Sequence, residues 1–366
     1  MEFKSDSWSF WETLDKSILV EDERPSSGKD VSMYPSEAAA FVKSANGNAY
    51  LIGGCRRKSW FRNKLQRQQK DKEHQTALFD EILFQDFTPK ELWKFEISRR
   101  TEDLITDESK RASIWETNSH RFEWLIPYSS DLFDFEKYGS FLIRGEVDLV
   151  VRPSPEKLPI GIEIKSITGY YGQKQVFGTK SKYGHWINPP TPKEQNLLQT
   201  VLYAFKFSII EKQYQYFKLV YFSREDGRRI EFNVDLIPEE VMGSTRHKVY
   251  LNGKPYIHNL YAEDIIDSYR YIHKHIVDDT LPPRDFDLQY PDEKIKALAA
   301  SGELSKTDME KFKKNKPVVK GDWECSYCNY KSMCYKGTTP IDYSAEQVEF
   351  DFSSIESAES EEDAED

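Results

Sequence analysis

The sharpest alternation of apolar and polar positions lies between residues 141 and 167, where Phe141–Val151 and Pro159–Ile167 each read as a strand. In Gly161-Ile162-Glu163-Ile164-Lys165-Ser166, Glu163 and Lys165 share one face and Ile162 and Ile164 the other. In Arg144-Gly145-Glu146-Val147-Asp148-Leu149-Val150, Val147 and Leu149 take the core face and leave Glu146 and Asp148 opposite. Leu92–Ile97 and a stretch within Ile114–Ile126 also read as strands, and Tyr216–Ser223 with Arg228–Leu236 forms a hairpin around Glu225-Asp226-Gly227. The period becomes helical over Lys58–Phe84, Lys193–Lys212 and His258–Val277, the last ended by Leu281-Pro282-Pro283, and over the lysine-rich Lys294–Lys314. Ser36 reads as the N-cap of a short helix over Glu37–Lys43. Gly169–Pro192 has little periodicity and reads as a long loop of the kind that often carries function. The pattern predicts an α/β fold, a central mixed sheet flanked by helices, with no internal repeat.

The 366 residues suffice for one large domain or two modest ones. With 14% aromatic residues the chain is not mainly disordered. No apolar run approaches the roughly 18 residues of a membrane span. The opening Met1-Glu2-Phe3-Lys4-Ser5-Asp6 lacks the basic-then-apolar order of a secretion signal, so a cytoplasmic or nucleoid-associated protein without membrane contact is expected. The net charge of −11 is concentrated: ten acids and no base fall in 345–366, which leaves the body at −1. Positive charge is local too, at Arg56, Arg57, Lys58, Arg62, Lys64, Arg67, Lys70 and Lys72. The expected division is an extension over 1–50, a main domain over 51–337 and an acidic disordered tail over 338–366 that recruits a basic partner or competes with DNA for the basic helix.

Neighbouring strands bring Asp148, Glu163 and Lys165 together. Two carboxylates make a hard oxygen site for Mg²⁺ or Mn²⁺, and a lysine beside the ion helps a water and offsets charge on a phosphate. The same residues also fit a salt-bridged Glu–Lys pair on a half-solvated strand. The pattern D-(x)n-E-x-K resembles the PD-(D/E)XK nuclease superfamily in its RecB-like branch, with Val147 standing where the signature has proline. Gln195, Gln199 and Tyr203 recur every four residues on one helix face, and Gln199-x3-Tyr203 matches the Q-x3-Y motif of that branch. The resemblance implies a PD-(D/E)XK core, metal-dependent hydrolysis of DNA, Asp148 and Glu163 as metal ligands, Lys165 assisting the water, and Gln199 and Tyr203 positioning the strand. It further implies a ligand from an early-helix histidine, His74, with His120 and His185 as alternatives.

Only four cysteines occur, Cys55, Cys325, Cys328 and Cys334, the last three as C-x2-C-x5-C. They are too few for a disulfide framework in a chain this long and point to a metal or cluster site. One cysteine before the core and three after it resembles the iron–sulfur RecB-like nucleases, among them the CRISPR-associated spacer-acquisition exonuclease and AddB-type domains. That resemblance implies one [4Fe–4S] cluster joining the two ends of the domain; a four-thiolate structural Zn²⁺ site is the competitor. It covers roughly Cys55 to Cys334, with 101–140, 168–190 and 291–320 unmatched.

The function expected is a single-strand DNA exonuclease of replication, recombination or repair. The alternatives are a structure-specific or defence-related endonuclease and a non-catalytic DNA-binding subunit of a larger complex. Arg56, Arg57, Lys58, Arg62 and Lys64 are expected on phosphates. Tyr170, Tyr171, Phe177 and Trp186 either stack on bases or pack on their own domain. The chain has no G-x-x-x-x-G-K-[ST] motif, so a helicase motor would be a separate partner.

Overall fold

The computed structural model describes residues 32–43, 49–70, 89–111, 116–127, 138–152, 155–256, 259–302, 304–326, 328 and 330–335. Two compact units are present, Met1–Tyr327 and Cys328–Asp366. The described part of the second holds one helical turn, Lys331–Cys334.

The first unit starts with β1 (Ser32–Met33), a 3-10 turn over Pro35–Glu37, β2 (Ala39–Lys43), β3 (Ala49–Gly53) and α1 (Arg56–Lys70). It continues through α2 (Pro89–Arg111), β4 (Glu116–Pro127), β5 (Ser140–Arg152), β6 (Ile160–Ile167), α3 (Tyr170–Phe177), β7 (Thr179–Lys180) and β8 (Trp186–Asn188). There follow α4 (Glu194–Ala204), prolonged as a π-helical turn to Ile210, then β9 (Phe217–Ser223), β10 (Arg229–Val241), β11 (Ser244–Leu251) and β12 (Lys254–Pro255). Helices α5 (Ala262–Val277), α6 (Asp292–Ser301) and α7 (Lys306–Lys313) come last, with a short turn at Trp323–Ser326.

Eight strands form one mixed sheet in the order β1-β5-β6-β9-β10-β11-β12, with β4 paired to β5. β4 runs antiparallel along nearly all of β5, Glu116 opposite Arg152 and Pro127 opposite Ser140. The other edge of β5 is therefore shared. β1 takes it parallel at Leu142 and Ile143, and β6 takes it antiparallel at Leu149, Val150 and Val151. Between these two pairings, residues 144–148 have no strand beside them on that edge. β6 then pairs parallel with β9 along its whole length.

Leu149, Val151, Ile160 and Ile164 form a buried cluster on one face, with Ile105 of α2 against it. Leu197, Leu198, Val201 and Leu202 bury α4, which packs against β6, β9 and β10. Gly161 makes this close fit possible: a Cβ there would lie 2.1 Å from Cε1 of Phe217, whose ring covers the strand.

The structure corrects several expected elements. Glu37–Lys43 is not a helix; Pro35 opens a single tight turn, and Ala39–Lys43 pairs with β3. Leu92–Ile97 is not a strand but part of α2, where Glu96 binds Arg99 and Arg100 at helical spacing. Gly169–Pro192 is not an irregular loop: it holds α3 and the β7–β8 hairpin. The helix expected over Lys58–Phe84 begins at Arg56, and 71–84 lies outside the described residues. α5 begins at Ala262 because Asp264 accepts the Tyr261 amide and fixes its start. Lys294–Lys314 is two helices, broken where Gly302 adopts a left-handed φ of 74°. β11 had not been expected. β1, which falls within the expected extension 1–50, pairs with β5 in the main sheet; the acidic tail lies outside the described residues.

Candidate active site

The fork in the sheet builds the site. β5 and β6 part after the Leu149–Ile162 pair, and the next residues outward are Asp148 and Glu163. Asp148 closes the end of the ladder with its side chain: Oδ2 accepts the Ile164 amide at 2.8 Å. Glu163 points into the protein and is fully buried. Lys165, two residues on and on the same face, is ion-paired to Glu163 Oε1 and keeps a quarter of its side chain in solvent. Apart from that ammonium and the adjoining Asp148 carboxyl, Glu163 has no hydrogen-bond partner among the described residues.

Burial pushes the Glu163 carboxyl up to about 8, Lys165 opposing and Asp148 adding to the rise. Burial also raises Asp148, against the pull of Lys165 and the Ile164 amide. Burial alone would lower the Lys165 ammonium, but Glu163 and Asp148 outweigh it and hold it above the ordinary lysine value. These shifts belong to a coupled group. A charged Lys165 thus faces two carboxyls that burial holds above their ordinary values.

A third carboxylate was not foreseen. Glu102 of α2 lies one turn before Ile105, which packs on the Leu149–Ile164 cluster. Its carboxyl is raised to about 7 by burial, then by Asp148, with Lys165 opposing, so it lies within electrostatic reach of both. The signal was an acid one helical turn from an apolar contact, hidden because the start of this helix reads as a strand.

Gln199 and Tyr203 are brought to the fork but not to its opening. Gln199 Nε2 donates to the Tyr203 hydroxyl at 3.0 Å, and that hydroxyl donates to the Glu146 carbonyl at 3.0 Å. Tyr203 is 1% exposed. It meets the stretch of β5 that has no β1 or β6 residue paired to it, so Gln199 and Tyr203, expected to position a DNA strand, are seen here bonded to each other and to β5. Gln195 donates to the Ser36 carbonyl. Tyr221, opposite Lys165 on β9, accepts from the Lys193 amide and from Asn196, each at 3.0 Å.

His74 lies outside the described residues. His120 contacts the Tyr214 hydroxyl and packs on Phe207, and His185 is exposed beside β8. Among the described basic side chains at the start of α1, several meet acids of the protein itself. Arg56 is buried, binds Asp285 through Nε at 3.0 Å and Nη2 at 2.6 Å, and lies between the rings of Phe41 and Tyr271. Arg62 pairs with Glu37 and Lys64 with Asp279. Arg57 is half-buried, and Lys58, though exposed, lies close enough to lower Glu37. Of the residues expected on phosphates, Arg56 and Arg62 are thus paired with acids of the protein itself, and Lys64 forms an exposed pair with Asp279. Phe177 is buried under the Arg228 guanidinium, whereas Tyr170, Tyr171 and Trp186 are exposed.

Cys55 and Cys325 belong to the first unit, Cys328 and Cys334 to the second. The segment 285–288 ties the first two into one region: Asp285 accepts the Arg56 amide at 2.7 Å, and the Asp287 amide donates to Asp322 Oδ2 while its carbonyl accepts the amide of Asp322, whose own carbonyl accepts the Cys325 amide. Among the described residues no group of three or more His, Cys, Asp or Glu side chains is drawn close enough to hold a metal ion. A four-thiolate centre is therefore not displayed. Asp148 and Glu163 still fit a hard divalent cation, because Mg²⁺ commonly takes one or two carboxylates and completes its shell with waters and substrate phosphates. Glu163, buried with Lys165 as its one cationic partner among the described residues, is the donor such an ion would satisfy.

No curated protein matches the chain. One solved structure, that of SSO0001, covers 89% of this chain and 96% of its own at 12% identity and a TM-score of 0.38, too loose a likeness to add to the assignment. The model of the PD-(D/E)XK nuclease superfamily matches residues 56–335, which takes in α2, β4, β5, β6, α4 and β9 in one run. With Asp148, Glu163 and Lys165 gathered where β5 and β6 part, the chain belongs to the PD-(D/E)XK nuclease superfamily, a group of metal-dependent nucleases.

Proposed function

We propose that this protein hydrolyses DNA phosphodiesters and degrades a single strand from an end, in replication, recombination or repair. Asp148 and Glu163 hold Mg²⁺ or Mn²⁺. When bound, that ion would supply Lewis-acid polarisation of a phosphoryl oxygen and a more acidic water. Lys165 keeps its proton and meets the charge that develops on the phosphate. Gln199 and Tyr203 hold β5 so that Asp148 stays at the fork. The observation that carries the reading is Glu163, fully buried beside a second carboxyl, with Lys165 as its one cationic partner among the described residues. A pair retained for stability alone gains little from such burial, because desolvation outweighs attraction when the remaining oxygens lack donors. The same feature speaks against a purely non-catalytic DNA-binding subunit.

The test is Mn²⁺-dependent digestion of an end-labelled linear single strand beside the same sequence closed into a circle. Loss of the linear strand alone is expected, with Asp148→Asn inactive and normally folded. Equal cleavage of both would move the protein to the endonuclease reading; an active Asp148→Asn would remove the metal assignment.

We also assign Cys55, Cys325, Cys328 and Cys334 to one [4Fe–4S] centre, on their one-plus-three spacing and on the ties from 285–288 to the Cys55 and Cys325 segments. Anaerobically purified protein should be brown. A colourless protein with one tightly bound zinc would decide for the competing site.

A further inference from the structure

Between Glu163 and Glu194 the sequence has no acidic residue, and it carries Lys165, Lys174, Lys180, Lys182 and Lys193. This run carries a single sign of charge, and α3 and the β7–β8 hairpin lie within it. Large apolar side chains stand out from it into solvent. Tyr171 is 85% and Tyr183 76% exposed, and Tyr170, Trp186 and Ile187 are exposed as well. Lysines lie over these rings: Lys180 Nζ is 4.5 Å from the centre of Trp186, Lys182 5.2 Å from Tyr183 and Lys174 5.5 Å from Tyr170.

The backbone beneath is held firmly. Gly178, with φ 70°, brings the start of the hairpin so close to its end that a Cβ would lie 2.6 Å from the Asn188 carbonyl oxygen. The Gly169 amide donates to Glu225, and Arg228 reaches the Gln173 side chain. Both ends of the segment meet the fork. It leaves β6 just after Ile167, two residues beyond Lys165, and it returns at Lys193, whose amide donates to Tyr221 opposite Lys165.

We infer that this segment is a stacking platform for single-stranded nucleic acid, with bases laid on Tyr171, Tyr183 and Trp186 and phosphates met by Lys174, Lys180 and Lys182; its role as a lead-in to the fork rests on the nuclease reading above. Charge complementarity selects the occupant, since unopposed lysines interleaved with open rings suit a polyanion whose bases are unpaired. A duplex keeps its bases stacked on each other and offers the rings nothing.

The test is equilibrium binding of a thymidine oligonucleotide, a mixed-sequence oligonucleotide and the matching duplex to the full chain in EDTA, where no cleavage competes. Both single strands should bind alike and more tightly than the duplex. Tyr171→Ala, Tyr183→Ala and Trp186→Ala should each weaken single-strand binding by about 5- to 100-fold with an unchanged thermal midpoint, and Tyr171→Phe should bind as the parent does. Lys174→Ala combined with Lys182→Ala should flatten the log–log salt slope by about 1.4. Unchanged single-strand binding in the alanine variants, or an equal loss for the duplex, would overturn the platform. So would self-association that those substitutions abolish while strand binding survives, which would make the surface an interface between copies. If the strand binds as expected but Mn²⁺ produces no cleavage of any DNA, the nuclease proposal fails and the platform stands.

Discussion

Replacing Tyr203 with phenylalanine removes one oxygen and leaves the ring packing in place. Two partners are then orphaned, the Glu146 carbonyl and Gln199 Nε2, each now 3.0 Å from the hydroxyl. An unsatisfied buried polar group costs about 1–3 kcal/mol. Gln199 keeps 9% exposure and can reach water, so the Glu146 carbonyl carries most of the loss, and a total of about 2–3 kcal/mol is expected. In a chain of 366 residues, with about 2.1 cal/mol/K of unfolding entropy per residue, that lowers the thermal midpoint by roughly 3–4 °C. Gln199→Ala removes the same bond from its other end, so the double variant should cost about 1 kcal/mol less than the sum of the singles. Because Tyr203 is 1% exposed, Tyr203→Phe should slow turnover about tenfold through displacement of β5, with strand affinity held to about twofold. Calorimetry, single-turnover cleavage and equilibrium binding measure the three quantities. An unshifted midpoint together with a large loss of strand affinity would refute the positioning role and return Tyr203 to direct contact with substrate.

Three other outcomes are expected. Glu163 holds its proton up to about 8 when folded, against an ordinary value of 4.5 that the unfolded chain restores; the metal-free fold therefore binds the extra proton and loses stability as pH rises from about 4.5 through 8. Midpoints measured across that window should fall, the rise produced by Mn²⁺ should grow with pH, and Glu163→Gln should flatten both; a pH-independent metal-free midpoint would contradict the burial. Glu102→Gln should raise the Mn²⁺ concentration giving half-maximal cleavage about 3- to 10-fold, and an unchanged Mn²⁺ titration would separate Glu102 from the site. Gly161→Ala places a methyl carbon 2.1 Å from the Phe217 ring and should cost about 1–3 kcal/mol by calorimetry, relieved in part by Phe217→Leu; no loss in the single variant would show that β6 has room to move.

Asp148, Glu163 and Lys165 were legible because a period of two on a strand leaves little freedom about which residues share a face. The same reasoning placed Gln199 and Tyr203 on one face of α4 and could not tell what that face meets. Their partner is a carbonyl exposed by the gap between β1 and β6, and no local pattern announces a gap in a ladder. The basic stretch misled for a related reason. Its cations looked unopposed because their acids lie far along the chain, Asp285 229 residues from Arg56 and Asp279 215 from Lys64. Glu102 was lost with its helix, since four apolar residues between Leu92 and Ile97 imitate a strand when read in a window shorter than two helical turns.

The fork between β5 and β6 bears on which ion the protein can use. Asp148 is tethered to β6 through the Ile164 amide, and Glu163 grows from that same strand, so the gap between the carboxylates follows the splay of two backbones more than the rotamers of two side chains. A splay fixed by β1 on one side and by three residue pairs on the other opposes widening. Mg²⁺ wants oxygens at about 2.1 Å and Ca²⁺ at about 2.3–2.6 Å, with more of them. For the ion proposed above, discrimination by ionic radius would then rest on the main chain, and a change in the length of β1 would alter it without touching either carboxylate.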